Sequence, residues 1–187
     1  MKLKIEFWVS ITAMITAVAA VVVAIIQTRV MTAEAETERE HARLSVLPVL
    51  SISDRSNIGD KNGRFSIAIV NKGLGPAVIE RFETFVDGER TESWGKYVSE
   101  LSQGKVLLEG NARNIQSIST ATVTEGTIIS NGDSIYPIAL EGRANLIQML
   151  LSSERQGKVE ICFCSLYKEC WLADSTKARP QPLNSCL

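Results

Sequence analysis

One histidine, His41, stands in the whole chain. A single imidazole excludes most catalytic triads, most zinc sites built on histidine pairs and most proton relays. Charge of one sign is lacking too: 20 Lys and Arg face 21 Asp and Glu, a formal net charge of −1. With the signs interspersed there is no global field to hold a nucleic acid or gather an acidic substrate, so no nucleic-acid partner is expected. Cysteine is rare and confined to Cys162, Cys164, Cys170 and Cys186. No Cys-X-X-Cys occurs among them, which argues against a redox dithiol. Cys-X-Cys with one nearby downstream Cys and no His is a poor zinc pattern. Neither a metal nor another cofactor is expected.

Only one long apolar run is present, and it dominates the reading. Phe7–Ile26 reads FWVSITAMITAVAAVVVAII, uncharged throughout, directly behind Met1-Lys-Leu-Lys-Ile-Glu6. A bilayer core about 30 Å thick takes about 20 apolar residues of helix to cross. Signal-peptide cores are about 7–15 residues and end at small residues. Here the apolar stretch continues through Val21–Ile26, past the sole candidate cleavage site at Ala17-Val-Ala-Ala20. The run therefore reads as an uncleaved anchor, with the lipid bilayer as its first partner and Phe7 and Trp8 near the interface. Flanking Lys2 and Lys4 are matched by Arg29, Arg39 and Arg43, so charge counting alone does not set the orientation. A short basic tail acting as signal-anchor predicts N-in, C-out, with the rest of the chain in the periplasm of a bacterial inner membrane. Ser10, Ala13, Ala17, Ala20 and Ala24 recur every three or four residues and share a helix face, where small side chains let two helices approach closely. They are the candidate helix interface, for self-association or for a protein partner.

From Gln27 to Leu44 the pattern stays helical but turns polar, with no Gly or Pro until Pro48. A continuous helix from about Ile5 to Leu44 would be roughly 60 Å long. The expected division is a cytoplasmic tail over 1–6, a transmembrane helix over 7–27, a helical stalk over 28–45 and a globular domain over 46–187.

Beyond Val46 the period changes to alternation. Strands are expected at Leu47–Asp54, around Phe65–Val70, along a third strand whose Val78, Phe82 and Val86 share a face, within Asn114–Ile129, and at Ser134–Leu140. Turn-rich segments separate them: Asn57–Gly63, the Gly73-Leu-Gly-Pro76 loop with two glycines free to take positive φ, Asp87-Gly88 and Asn131-Gly-Asp133. Trp94, Tyr97, Val98 and Leu101 suit one short amphipathic helix, and Arg143–Glu154 another. Lys72-Gly-Leu-Gly75 lacks the Gly-Lys-Ser/Thr ending of a phosphate loop and reads as a turn.

The cysteines fall on a hairpin. Lys158–Cys164 alternates as a strand, Ser165–Glu169 is a polar turn, and Cys170-Trp-Leu-Ala173 can return antiparallel. If Cys164 stands opposite Cys170, then Phe163 stands opposite Trp171 on the other face. Cys162 is then left for Cys186. Reduced, buried cysteines of a cytoplasmic domain are the competing reading.

These features add up to a mainly β chain: an N-terminal transmembrane helix and helical stalk, then an antiparallel sandwich with one or two short helices. The stretch Ile69-Val-Asn-Lys-Gly-Leu-Gly-Pro-Ala77, with Asp87-Gly88 and Asn131-Gly-Asp133, resembles the strand–turn–strand pattern of bacterial immunoglobulin/fibronectin-like modules. More narrowly, the chain resembles small bacterial membrane-anchored proteins carrying Asn-X-Gly-X-Gly-Pro-Ala and a final Cys-Ser…Cys-Trp strand pair. The resemblance implies an Ig-like fold and a membrane location, and no activity. No serine has a histidine base within the domain, and Glu80 and Glu83 flanking Arg81 form no recognisable glycosidase pair. The expected function is non-enzymatic: an extracytoplasmic binding, assembly or sensing module. The alternative is a cytoplasm-facing membrane effector or regulator that oligomerises through its transmembrane helix.

Overall fold

The computed structural model describes residues 2–104 and 114–186. The chain divides into two compact units, Met1–Leu44 and Ser45–Leu187.

Helix α1 spans Lys2–Ser45 without a break. Neither Gly nor Pro falls within it, and Ala, Glu, Arg and Leu are good helix formers. Its threonines do not disturb it. Thr12, Thr16 and Thr28 hydroxyls donate to the carbonyls of Val9 (2.9 Å), Ala13 (2.9 Å) and Ala24 (2.8 Å), so they need no outside partner in an apolar medium. Phe7, Trp8, Met14, Ile15, Val22 and Ile25 are all at least half exposed. A surface this apolar is unstable against water and stable against lipid. Among the described residues α1 is the one helix long and apolar enough to cross a membrane.

The second unit is built of antiparallel sheets. Strands β1 (Leu50–Ile58), β2 (Asn62–Asn71), β5 (Ile115–Thr120) and β7 (Ser134–Arg143) form a four-stranded sheet in the order β1-β2-β7-β5. Strands β3 (Ala77–Val86), β4 (Glu89–Thr91), β6 (Ile128–Ile129), β8 (Gly157–Cys164), β9 (Cys170–Asp174) and β10 (Gln181–Leu183) form the other. Its order is β10-β9-β8-β3-β4, with β6 also on β3. Phe65, Ile67, Ile69, Ile138 and Leu140 from the first sheet join Ile79, Val86, Val159, Ile161 and Phe163 from the second in one core. Two short helices complete it. Helix α2 (Trp94–Leu101), capped by the Ser93 side chain accepting from the Lys96 amide, buries Tyr97, Val98 and Leu101; α3 (Ala144–Leu151) buries Leu146, Ile147 and Leu150. The chain is thus a long apolar helix followed by a mainly β, antiparallel unit with short helices.

Three details differ from the sequence reading. β1 runs to Ile58, so the expected Asn57–Gly63 loop shrinks to a tight turn closed by the Gly59 amide on the Asn62 carbonyl, 2.9 Å. In β3 the register against β8 slips between Ile79 and Arg81. This bulge changes the parity of the strand. Ile79, opposite Phe163, therefore shares the core face with Phe82 and Val86, while Val78 lies opposite Cys164 on the other face. The third difference concerns Gly73 and Gly75. Neither has positive φ. A Cβ on Gly73 would collide with the backbone of Leu47–Val49, and one on Gly75 with that of Val46. The glycines serve close backbone approach, and the loop extends the β1–β2 ladder.

Asn71 organises that approach and is fully buried. Its Oδ1 accepts from the amides of Val49 (3.2 Å) and Gly73 (3.0 Å), and its Nδ2 donates to the carbonyls of Gly75 (2.7 Å) and Ile129 (2.9 Å). One side chain ties the entry to β1, the end of β2, and β6 together.

Candidate functional site

The cysteines assemble on one edge of the domain. In the β8–β9 hairpin Cys164 pairs with Cys170 and Phe163 with Trp171. The Cys164 and Cys170 sulfurs are bonded at 2.03 Å, and the two rings stack at 5.8 Å with 28° between planes on the opposite face. After β9 the chain returns as β10, with Pro182 opposite Trp171. Proline is tolerated at such an edge because it has no amide to offer a further strand. The return carries Cys186 to Cys162, bonded at 2.02 Å. The two bridges are neighbours: Cys164 Sγ and Cys186 Sγ are 3.8 Å apart. Cys164, Cys170 and Cys186 sulfurs all lie within 4.8 Å of one another. Metal binding requires thiolates, and all four sulfurs are bonded in pairs, so this cluster acts as a covalent clamp on the end of the chain.

Ser10, Ala13, Ala17, Ala20 and Ala24 all lie on α1 and are exposed, on one side of the helix as their spacing dictates. The Lys72–Gly75 loop has no amides left for an anion. Lys72 donates to the Val49 carbonyl, Leu74 and Gly75 to Leu47, and Gly73 to Asn71. Glu80 is exposed on the β3 bulge. Glu83 is held between Arg81 (3.5 Å) and Arg90 (3.4 Å), so its carboxylate is occupied by two arginines.

A cavity of about 250 Å³ opens between the two sheets. Its wall is mixed: Ile52, Phe65 and Ile67 from the first sheet, Val159 from the second, and Leu101 and Leu150 from the two helices supply apolar surface, and polar side chains such as Asp54 and Thr176 share the lining. Polar groups gather at the α3–β8 connection. The Ser153 hydroxyl donates to the Leu101 carbonyl and accepts from the Arg155 amide at 3.1 Å. The Arg155 guanidinium donates to Asp87 Oδ2 (2.6 Å) and to the Glu100 carbonyl (3.2 Å). Asp87 lies in the β3–β4 turn, where it takes φ 52° and Gly88 φ 86°. The Gln156 amide, and then Arg155, hold the Asp87 carboxyl below its usual range. This lattice pins the cavity rim.

Tyr97 differs from the rest of the rim. Its ring packs edge-on against Trp94 at 5.5 Å, and the residue is 4% exposed. Its hydroxyl lies beside Gly157, where a Cβ would strike it. Burial, followed by the nearby Asp54, pushes its pKa up to about 12. Among the described residues the hydroxyl has no hydrogen-bond partner. Among the described residues no fully enclosed side-chain polar atom lacks one, so this hydroxyl is not fully enclosed, and Tyr97 lines the cavity. In the sequence Tyr97 is one of four apolar positions on α2, and the cavity it faces has no sequence signature. The one available signal is a tyrosine placed where a phenylalanine would pack as well.

The chain matches no family model, no curated protein and no solved structure.

Proposed function

We propose that this chain is a single-pass, membrane-anchored binding or assembly module, without enzymatic activity, exposed on the extracytoplasmic side of a bacterial inner membrane. The observation that carries the reading is the joining of a membrane-length exposed apolar helix to a domain whose four cysteines are all in disulfides. Disulfides persist in oxidising compartments and are rare in the cytosol. The Ig-like assignment draws support from strand order. β1-β2-β7-β5 and β9-β8-β3 correspond to the ABED and GFC sheets of an immunoglobulin sandwich. The small-residue face of α1 associates laterally with a like or unlike helix, and the domain presents its edges and loops to the partner.

A reporter fused after Leu187, together with thiol counting on the intact and the denatured chain, tests this. A reporter active only outside the cytoplasm and no reactive thiols are expected. Four reactive thiols with a cytoplasmic reporter would replace the reading with the cytoplasm-facing effector. Proteins recovered with the chain from solubilised membranes identify the partner.

A further inference from the structure

We infer that the cavity between the sheets is a binding site for a small, neutral, mostly apolar molecule carrying one hydrogen-bond acceptor, which the Tyr97 hydroxyl receives. This site is independent of which side of the membrane the domain occupies, and of any protein partner.

Four observations converge on it. The walls formed by Ile52, Phe65, Leu101, Leu150 and Val159 favour an apolar body. The volume, about 250 Å³, exceeds the roughly 150 Å³ that accommodates benzene in a dry apolar cavity. A six-membered ring with a substituent of two or three atoms fits. Among the described residues of the wall the Tyr97 hydroxyl and the Asp54 carboxylate make no hydrogen bond within the protein, and of the two only the hydroxyl can donate; Ser153, Arg155 and Ser175 are engaged by Leu101, Asp87 and the Val159 amide. Lastly, Gly157 lacks the Cβ that would collide with the Tyr97 hydroxyl, so the hydroxyl keeps its place in the cavity wall.

The same wall argues against an anionic ligand. The one cation there among the described residues, Arg155, is bound to Asp87 at 2.6 Å, and Asp54 also lines the cavity. An anion would lose its water, find no free cation and face a carboxylate. Tyr97, its pKa raised, remains a neutral O–H at all ordinary pH and offers its proton to a carbonyl, ether or hydroxyl oxygen.

The test uses the full chain in lipid nanodiscs, with three probes of nearly one shape: acetophenone, α-methylstyrene and 1-phenylethylammonium. Binding is read from the methyl resonances of Leu101 and Leu150. Acetophenone presents an acceptor where α-methylstyrene presents a CH₂ group. Tyr97→Phe removes a single oxygen that holds no protein partner, so the fold should survive. Partitioning into lipid is the same for both proteins and cancels in the comparison. The wild type should prefer acetophenone over α-methylstyrene by about fivefold more than Tyr97→Phe does, the usual worth of one net hydrogen bond. The Tyr97 Cζ resonance, which needs no variant, should move on adding acetophenone and stay in place with α-methylstyrene. Equal preference in the two proteins, a Cζ resonance indifferent to acetophenone, or no methyl shifts with any probe would overturn the inference. Tightest binding of the ammonium probe would overturn the assignment of a neutral ligand.

Discussion

Two buried side chains show how much one residue decides here. Asn71 uses both lone-pair directions and both amide protons at once. Asn71→Ala should therefore cost about 3 kcal/mol or more, since several buried backbone groups lose their partners together; urea unfolding measures it. Asn71→Asp should be no better, because a second oxygen would face the carbonyls of Gly75 and Ile129. Tyr97 bears on the alkaline limb. Its pKa is raised to about 12 in the folded chain from an ordinary value near 10. The neutral form belongs to the fold, so stability should be fully present below pH 10 and fall between there and pH 12. Tyr97→Phe should flatten that fall in a thermal scan. On the acid side Asp87 is lowered by the Gln156 amide and Arg155. Asp174 is also lowered: its burial acts upward, and the two hydrogen bonds from Thr176, with Lys158 and Lys177, outweigh it. Both contribute above the ordinary aspartate range and lose their contribution as pH falls through the folded values, so unfolding should begin below about pH 4.

At the scale of elements, the two disulfides differ in what they close. Cys164–Cys170 spans a separation of 6 residues and Cys162–Cys186 one of 24. By loop entropy the longer is worth about 3.5 kcal/mol and the shorter about 2.2 kcal/mol. Replacing Cys162 and Cys186 together by Ala should thus lower the denaturation midpoint more than replacing Cys164 and Cys170, and should release β10 as well. Hydrogen exchange at Gln181 and Leu183 would report that release, and equal protection in both variants would contradict it. For α1, Ala17→Leu with Ala20→Leu should weaken cross-linking in membranes several-fold; unchanged cross-linking would remove the small-residue face as an interface. Elements were readable where local chemistry sets them. The α2 apolar face, the Asp87-Gly88 turn and the Cys164–Cys170 register follow from spacing and turn residues alone. The β3 bulge did not, because Val78-Ile79-Glu80-Arg81 alternates acceptably in either parity. Only the pairing with β8 selects Ile79 for the core.

For the whole molecule, the chemistry is divided. One unit is a helix long and apolar enough to cross a membrane, and the other has a core of its own closed by two covalent bonds. The order β1-β2-β7-β5 against β10-β9-β8-β3-β4 places α2, α3 and the β1 edge around the same opening, which is where the cavity forms. Residues as distant in sequence as Ile52, Tyr97 and Gly157 meet there.

The membrane-length helix, the alternation of the strands, the positions of the turns and the cysteine hairpin were determined by sequence alone. Each depends on neighbours along the chain, on helical or extended periodicity, or on a turn of a few residues. The function of Gly73 and Gly75, the parity of β3, the fourfold use of Asn71 and the cavity lined by Tyr97 were decided only by the tertiary structure. Each depends on backbone or side chains brought from distant segments, and steric fit and hydrogen-bond satisfaction between such segments have no period to read.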